Sequence, residues 1–320
     1  MKQNTLNITI PQATQLLRAQ QVVAFPTETV YGLGADATSD IAVGKIFAAK
    51  GRPGDNPLIV HIADESQLPT VAVAIPDVAR QLMAAFWPGA LTIILPKHDS
   101  LSSLVTAGLQ TVGVRIPSHP IALELLRETG LPLAAPSANI SGKPSPTTAQ
   151  HVADDFGDTI AGIVDGGSCQ VGLESTVIDC TASVPTILRP GGVTRAAIEA
   201  VIGRVEVSGD TANVPKSPGM KYKHYAPQAP MTIVQGDVAF FERMVANARC
   251  DGKRVGLLQA NDYVITELAQ NLYAILRAFD EQELDAIYCQ SFSQDDLGEA
   301  VMNRLLKAAD GRIIYQGLGQ

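Results

Sequence analysis

Apolar and polar positions along the chain change period repeatedly, and those changes predict its elements. Helical spacing over residues 11–20 predicts a short amphipathic helix, and the apolar run at 22–26 a buried strand. A second helix is predicted over 39–49, carrying Ile41, Val43, Ile46 and Phe47 behind a Ser39-Asp40 cap. Apolar runs predict strands from Leu58 to His61, at 91–95, at 111–115 and at 133–135, with helices over 76–87 and 120–128. A helix capped by Thr147 or Thr148 follows, then a hairpin of 176–179 with 186–189 and a helix start near Thr194. This mixture of hairpin and crossover segments indicates an α/β fold with a mixed twisted sheet, helices and an open polar face.

From Met231 the pattern becomes a regular alternation of strand (231–235, 254–259, 286–290) and helix (237–248, 266–279, 297–309). That alternation predicts a smaller C-terminal Rossmann-like domain with a parallel sheet. The expected division is a first domain over 1–207, a linker or lid over 208–229 and the Rossmann-like domain over 230–320. A length of 320 residues suits two such domains.

Composition narrows the setting. No apolar run reaches the roughly 20 residues of a membrane span, and the opening Met-Lys-Gln-Asn-Thr-Leu-Asn lacks a signal-peptide core. A cytoplasmic location is expected, with no membrane partner. Cys169, Cys180, Cys250 and Cys289 stand far apart, which indicates neither a zinc site nor a disulfide framework, and no metal ligands are predicted. A net charge of -8 argues against broad nonspecific nucleic-acid binding, although a local basic cleft can still take phosphates.

Candidate chemistry begins at Lys50-Gly-Arg52-Pro-Gly-Asp-Asn56. Pro53 fixes its own φ and biases Arg52 toward an extended backbone, so backbone geometry aims the guanidinium. The pair is placed to meet an anion, or is a solvated basic turn; Lys50 also suits the negative end of its helix. Thr27, Glu28, Thr29 and Tyr31 put three hydroxyls and a carboxylate beside Gly32-Leu-Gly34-Ala-Asp-Ala37, whose glycines are expected to make turns. The dinucleotide fingerprint does not fit there, because the glycines come too late after the strand and the next helix starts beyond them. In the strand at 111–115 a period of two places Thr111, Gly113 and Arg115 on one face. Burying that arginine requires an anion, either a ligand carboxylate or phosphate or an internal Asp or Glu. His61 is either a structural strand end or part of a site. Gly142-Lys143 is followed by Pro144, so it is no P-loop. The turns at Asp165-Gly-Gly-Ser168 and Arg189-Pro-Gly-Gly192 can form anion nests.

Taken in order, seven motifs resemble the YrdC-like family of threonylcarbamoyl-AMP synthases. They are Pro26-Thr-Glu-Thr-Val-Tyr-Gly-Leu-Gly34, Lys50-x-Arg52 with Asn56-Pro-Leu-Ile-Val-His61, Thr111-Val-x-Val-Arg115-x-Pro117, Ala135-Pro-Ser-Ala-Asn139, Ser145-Pro-Thr147, Glu174-Ser-Thr176 and Leu188-Arg-Pro-Gly191. The resemblance covers roughly residues 8–205, and Ser217 to Pro227 is similar to the linker of the family's two-domain form, which carries a C-terminal extension.

The resemblance implies an enzyme that joins L-threonine, bicarbonate and ATP into threonylcarbamoyl-AMP with release of pyrophosphate. The product would feed N6-threonylcarbamoylation of adenosine in tRNAs reading codons that begin with A, through downstream tRNA threonylcarbamoyltransferase proteins. By the family pattern Thr29, His61, Arg115, the Ala135 backbone and Ser175 hold threonine; Arg52, Asn56, Thr111, Ser137, Ser145 and Arg189 hold ATP. Lys50 and Arg52 would offset charge in the transition state, and Mg2+ is expected to arrive with ATP. Tyr222, His224 and Tyr225 are expected to form a lid over a carbamate that water would otherwise destroy. Competing readings are a double-stranded RNA-binding module, a nucleotide-binding regulator and a carbamoyl-phosphate-using domain; weak RNA contact is expected at most.

Overall fold

The computed structural model describes residues 7–208 and 224–317, which fall into two units, and none of the helices among them is long and apolar enough to cross a membrane. The first unit builds its sheet from β1 (Val23–Phe25), β2 (Gly32–Asp36), β3 (Ile59–His61), β4 (Leu91–Pro96), β5 (Thr111–Arg115), β6 (Leu133–Ala134), β7 (Gly162–Ile163), β8 (Thr176–Asp179), β9 (Thr186–Arg189) and β10 (Glu206–Val207). The ten strands lie in the order β10-β9-β8-β4-β5-β3-β6-β2-β1-β7. Pairing is mixed, parallel between β3 and β5 and antiparallel between β4 and β5 and between β8 and β9, as the sequence pattern indicated.

Helices α1 (Ile10–Arg18), α2 (Asp40–Lys50), α3 (Leu68–Val71), α4 (Asp77–Phe86), α5 (Ser103–Thr106), α6 (Pro120–Thr129), α7 (Ala149–Phe156) and α8 (Arg195–Ile202) connect them. Hydroxyl caps set several starts: Ser39 accepts from the Ala42 amide, Thr148 from His151 and Thr194 from Ala197. Gly51, at φ 57°, ends α2 in the left-handed conformation that glycine adopts without penalty.

Strand alternation divides the sheet into two unlike faces. Val60, Ile93, Val112, Val114 and Ile178 pack with Ile46 of α2, Leu82 of α4, Val152 of α7 and Ile198 of α8 in the main core. On the other face α1 and α6 pack with Val23, Phe25 and Leu133 in a second, smaller cluster. Farther along that face Ile59, Ile94 and Val177 form a small separate apolar cluster. The register aligns Ile59 and His61 with Gly113 and Arg115, so this partly covered face is the one that carries the polar residues.

One expectation is corrected. Gly32 and Gly34 do not make turns: both lie in β2, paired antiparallel with Phe25 and Val23. The missing side chain serves packing, since a Cβ on Gly34 would stand 2.7 Å from Cε1 of the Phe25 ring. The two-residue strands β7 and β10 were not predicted; each depends on a parallel partner distant in sequence.

The second unit comprises β11 (Met231–Gln235), β12 (Val255–Leu258), β13 (Ala286–Gln290) and β14 (Ile313–Tyr315), with α9 (Val238–Cys250), α10 (Ile265–Asp280) and α11 (Leu297–Ala308). Its strands are all parallel, in the order β12-β13-β11-β14. This is the expected Rossmann-like layer, with β14 added. Gly142–Pro144 group with this unit. Within it Tyr225 is buried, its ring centroid 5.2 Å from that of Tyr273 and beneath the Arg304 guanidinium at 5.6 Å. Tyr222 lies outside the described residues, as does the rest of 209–223.

Candidate active site

The site is built on the ends of β3 and β5 and on the loops that meet them. Arg115 closes β5 beside His61, which closes β3, because the two strands run parallel in that register. Both are buried, at 3% and 4% exposure, so each must find its partners inside the protein. Arg115 donates from Nη1 to Thr29 Oγ1 at 2.8 Å and from Nε to the Gly89 carbonyl at 3.0 Å. Its Nη2 lies 2.7 Å from Oε1 of Glu28. The sequence left open whether the arginine's anion is a ligand or internal; an internal carboxylate is present. Burial works against the Glu28 charge, but Arg115 and the backbone amides of Glu28 and Ser118 outweigh it and hold the carboxyl below its usual pKa.

Thr29 is itself fixed by Thr27, whose hydroxyl lies 2.8 Å from Thr29 Oγ1 and donates to the Val30 carbonyl at 2.6 Å. Burial, and then the charge of Arg115, push His61 down to a pKa of about 3, so the imidazole is neutral near neutral pH. Ser175, just before β8, shares a 2.8 Å hydrogen bond with Thr92 of β4. Arg189, at the end of β9, donates from Nη2 to the Ser175 carbonyl at 2.9 Å. Ser145 donates to Glu174 Oε1 at 2.6 Å, which ties the Ser145 loop to the residue preceding Ser175. The Ala135 amide donates to the Ile59 carbonyl at 2.9 Å, seating that backbone against β3.

The basic turn divides into two roles. Arg52 donates from Nη2 to the carbonyls of Asn56 and Pro57, at 3.1 and 3.2 Å, and so folds the turn back on itself. Lys50 is buried and donates from Nζ to the carbonyls of Ser137, at 2.6 Å, and Asn139, at 2.5 Å. Burial, and then the charge of Arg52, push its pKa well below that of ordinary lysine, with Asp155 opposing. An amine with two N–H groups still satisfies both carbonyls when neutral. In this geometry Lys50 anchors the loop that carries Ser137, whose hydroxyl donates to Asn139 Oδ1 at 2.5 Å. Asn56 is buried to 1% exposure, yet neither its amide oxygen nor its amide nitrogen has a hydrogen-bond partner among the described residues. Thr111, half-buried at the start of β5, shares the face of Gly113 and Arg115.

The structure therefore gathers Thr29, Glu28 and Arg115 into one buried polar group, with His61 beside Arg115 in the strand register, and Thr92, Ser175 and Arg189 into a second, with Ser145 bonded to the neighbouring Glu174. Lys50 ends α2, Arg52 and Asn56 lie on the loop before β3, and Ser137 lies on the loop after β6. Sequence reasoning missed the bonding roles of Glu28, Thr92 and Glu174. The available signal was Arg115 itself, a strand arginine that demanded an anion. Among the described residues no three His, Cys, Asp or Glu side chains group to hold a metal ion.

Comparison with known proteins places these features in a family. The Sua5, YciO and YrdC family model, described as telomere recombination, matches residues 15–191. A second, described as threonylcarbamoyl-AMP synthase, C-terminal domain, matches residues 193–310. The threonylcarbamoyl-AMP synthase of Bacillus subtilis is 54% identical over 95% of this chain and 94% of its own length. That of Pyrococcus abyssi is 47% identical over 94% of each. The crystal structure of Pyrococcus abyssi Sua5 complexed with L-threonine superposes with a TM-score of 0.93, at 46% identity and 96% coverage of both chains.

Proposed function

Because this chain belongs to the Sua5, YciO and YrdC family, in the form that carries the threonylcarbamoyl-AMP synthase C-terminal domain, we propose that it makes threonylcarbamoyl-AMP from L-threonine, bicarbonate and ATP. The observation that carries the reading is a pair of buried polar features, Arg115 held by Thr29 and Glu28, and Asn56, a buried amide whose donor and acceptor are both unmet among the described residues. A buried polar group without a partner is costly, and a ligand that supplies one recovers the loss. An amino-acid carboxylate suits the guanidinium, and a nucleotide suits an amide that can both donate and accept.

In the proposed reaction the threonine amine loses a proton and its nitrogen bonds to the carbon supplied by bicarbonate, with loss of water. One carbamate oxygen then attacks the α-phosphorus of ATP, and the bond to pyrophosphate breaks. No covalent bond to the protein forms, so the chain's work is to position substrates, offset charge and exclude water. Arg115, Thr29, His61, Ser175 and the Ala135 backbone hold threonine. A neutral His61 can offer a hydrogen bond without adding a cation. Arg52, Asn56, Thr111, Ser137, Ser145 and Arg189 hold ATP, and Lys50 acts by keeping the Ser137 loop in place.

When bound with ATP, Mg2+ would offset negative charge on the nucleotide's phosphates. The donor set suits an ion carried in by ATP, because the described residues offer no carboxylate cluster of their own. Tyr222, His224 and Tyr225 serve as the lid. The product passes to the proteins that transfer it to tRNA, with at most weak RNA contact, and the work takes place in the cytoplasm.

The test is pyrophosphate release from ATP and Mg2+ with L-threonine and bicarbonate omitted in turn, for the wild type and Arg52→Ala. Release that needs both co-substrates and is lost in the variant is the expected result. Release indifferent to threonine overturns the reading.

A further inference from the structure

Glu28 is a buried carboxylate to which the proposed reaction gives no task, yet it sits 2.7 Å from the guanidinium expected to take the substrate carboxylate. Arg115 already donates to Gly89 and Thr29, and Glu28 takes a third direction. A guanidinium has five N–H groups, so these three partners leave two for a ligand. The incoming carboxylate therefore meets a charge-neutral pair instead of a lone cation. We propose that Glu28 is a resident counter-ion that weakens the hold of Arg115 on the substrate carboxylate and so sets how tightly L-threonine binds, a proposal that rests on the threonine site described above.

The chemistry gives such a residue a use. Bonds form at the threonine amine and at phosphorus, while the carboxylate passes unchanged into the product. Its contact with Arg115 is equally strong in substrate, transition state and product. Tightening a contact of that kind lowers KM without raising kcat, and it slows departure of a product that carries the same carboxylate. In the free protein Glu28 also spares Arg115 from being an unpaired buried charge. Glu28 acts through Arg115 and is a positioning residue.

The experiment is calorimetric titration of the full chain in low-chloride buffer with L-threonine and with L-threonine amide, which lacks the carboxylate, for the wild type, Glu28→Gln and Glu28→Asp. Glutamine keeps the length and an accepting oxygen but removes the charge. Glu28→Gln is expected to bind L-threonine on the order of tenfold tighter, the scale of one screened charge contact, with no gain for the amide. L-threonine is also expected to raise its Tm by more than it raises that of the wild type. Glu28→Asp, which draws the charge back by one methylene, shifts the affinity in the same direction by less and decides the matter if the glutamine variant does not fold. Folded variants that bind L-threonine no more tightly than wild type, or that tighten equally on the amide, overturn the counter-ion role. A wild type that fails to bind L-threonine at all instead overturns the threonine site itself.

Discussion

The Nζ of Lys50 stands 2.6 Å from the carbonyl oxygen of Ser137, a residue 87 positions later in the chain. Together with the bond to Asn139, this contact makes a helix C-terminus the anchor of the loop after β6. Lys50→Met keeps most of the apolar stem but leaves two carbonyls without their donor, a loss of about 2–4 kcal/mol. Calorimetry should show a lower Tm. Steady-state kinetics should show KM for ATP rising several-fold more than KM for threonine, because Ser137 loses its footing.

Asn56 gives the opposite signature. Its buried amide meets no partner among the described residues, so Asn56→Leu, which keeps the branch at Cγ and replaces both polar atoms by methyl groups, removes an unmet desolvation cost. The variant should be as stable as the wild type or more so, while ATP affinity falls by about tenfold or more. Calorimetry with ATP and with threonine separates the two sites, and equal loss for both ligands would refute a nucleotide role.

The pH dependence of stability should report His61. Its folded pKa, about 3, lies below the value of about 6.5 in the unfolded chain, so between these values the unfolded state binds the extra proton. Its contribution is fully present above pH 6.5 and is lost as pH falls toward 3. Denaturant titrations of the wild type and His61→Gln across that window should differ in slope by up to ~1.4 kcal/mol per pH unit.

Gly191 ends the Leu188-Arg-Pro-Gly motif where two backbones cross. A Cβ there would collide with the Glu174 carbonyl and stand 2.5 Å from the Thr176 nitrogen, and neither is a side chain that can swing aside. Gly191→Ala should cost about 3 kcal/mol or more by pushing Ser175 out of line. A smaller loss with unchanged threonine affinity would show that the crossing yields easily.

Tyr225 tests the lid. Tyr225→Ala should lower the yield of threonylcarbamoyl-AMP while threonine affinity stays within about twofold. Tyr225→Phe keeps the stacking on Tyr273 and isolates the hydroxyl. Unchanged product yield in both variants removes the lid role.

Much of this architecture was legible because the sequence punctuates it. The strands Thr111–Arg115, Thr176–Asp179, Thr186–Arg189, Met231–Gln235 and Ala286–Gln290 match the apolar runs between turn residues, and Ser39 and Thr194 cap the helices expected of them. Gly32 and Gly34 misled because glycine signals both a turn and a tight packing contact, and only the Phe25 ring decides between them. In the site, residue types were readable but bonding was not. Lys50 and Arg52 read as one basic pair, and they separate only when the loop after β6 arrives over Lys50. Arg115 announced a partner, and the folding of the loop between β1 and β2 selects Glu28.

The central position of β3 and β5 in a ten-stranded sheet makes the two halves of the site unequal in their fluctuations. Amides of strands flanked on both sides exchange with deuterium only in large-scale opening, whereas loop amides exchange through local excursions. His61 and Arg115 therefore inherit the protection of the whole domain. Amides of the loops bearing Arg52, Asn56 and Ser137 should exchange sooner, so on the proposed assignment the amino-acid end of the site is held ready while the nucleotide end yields to its ligand.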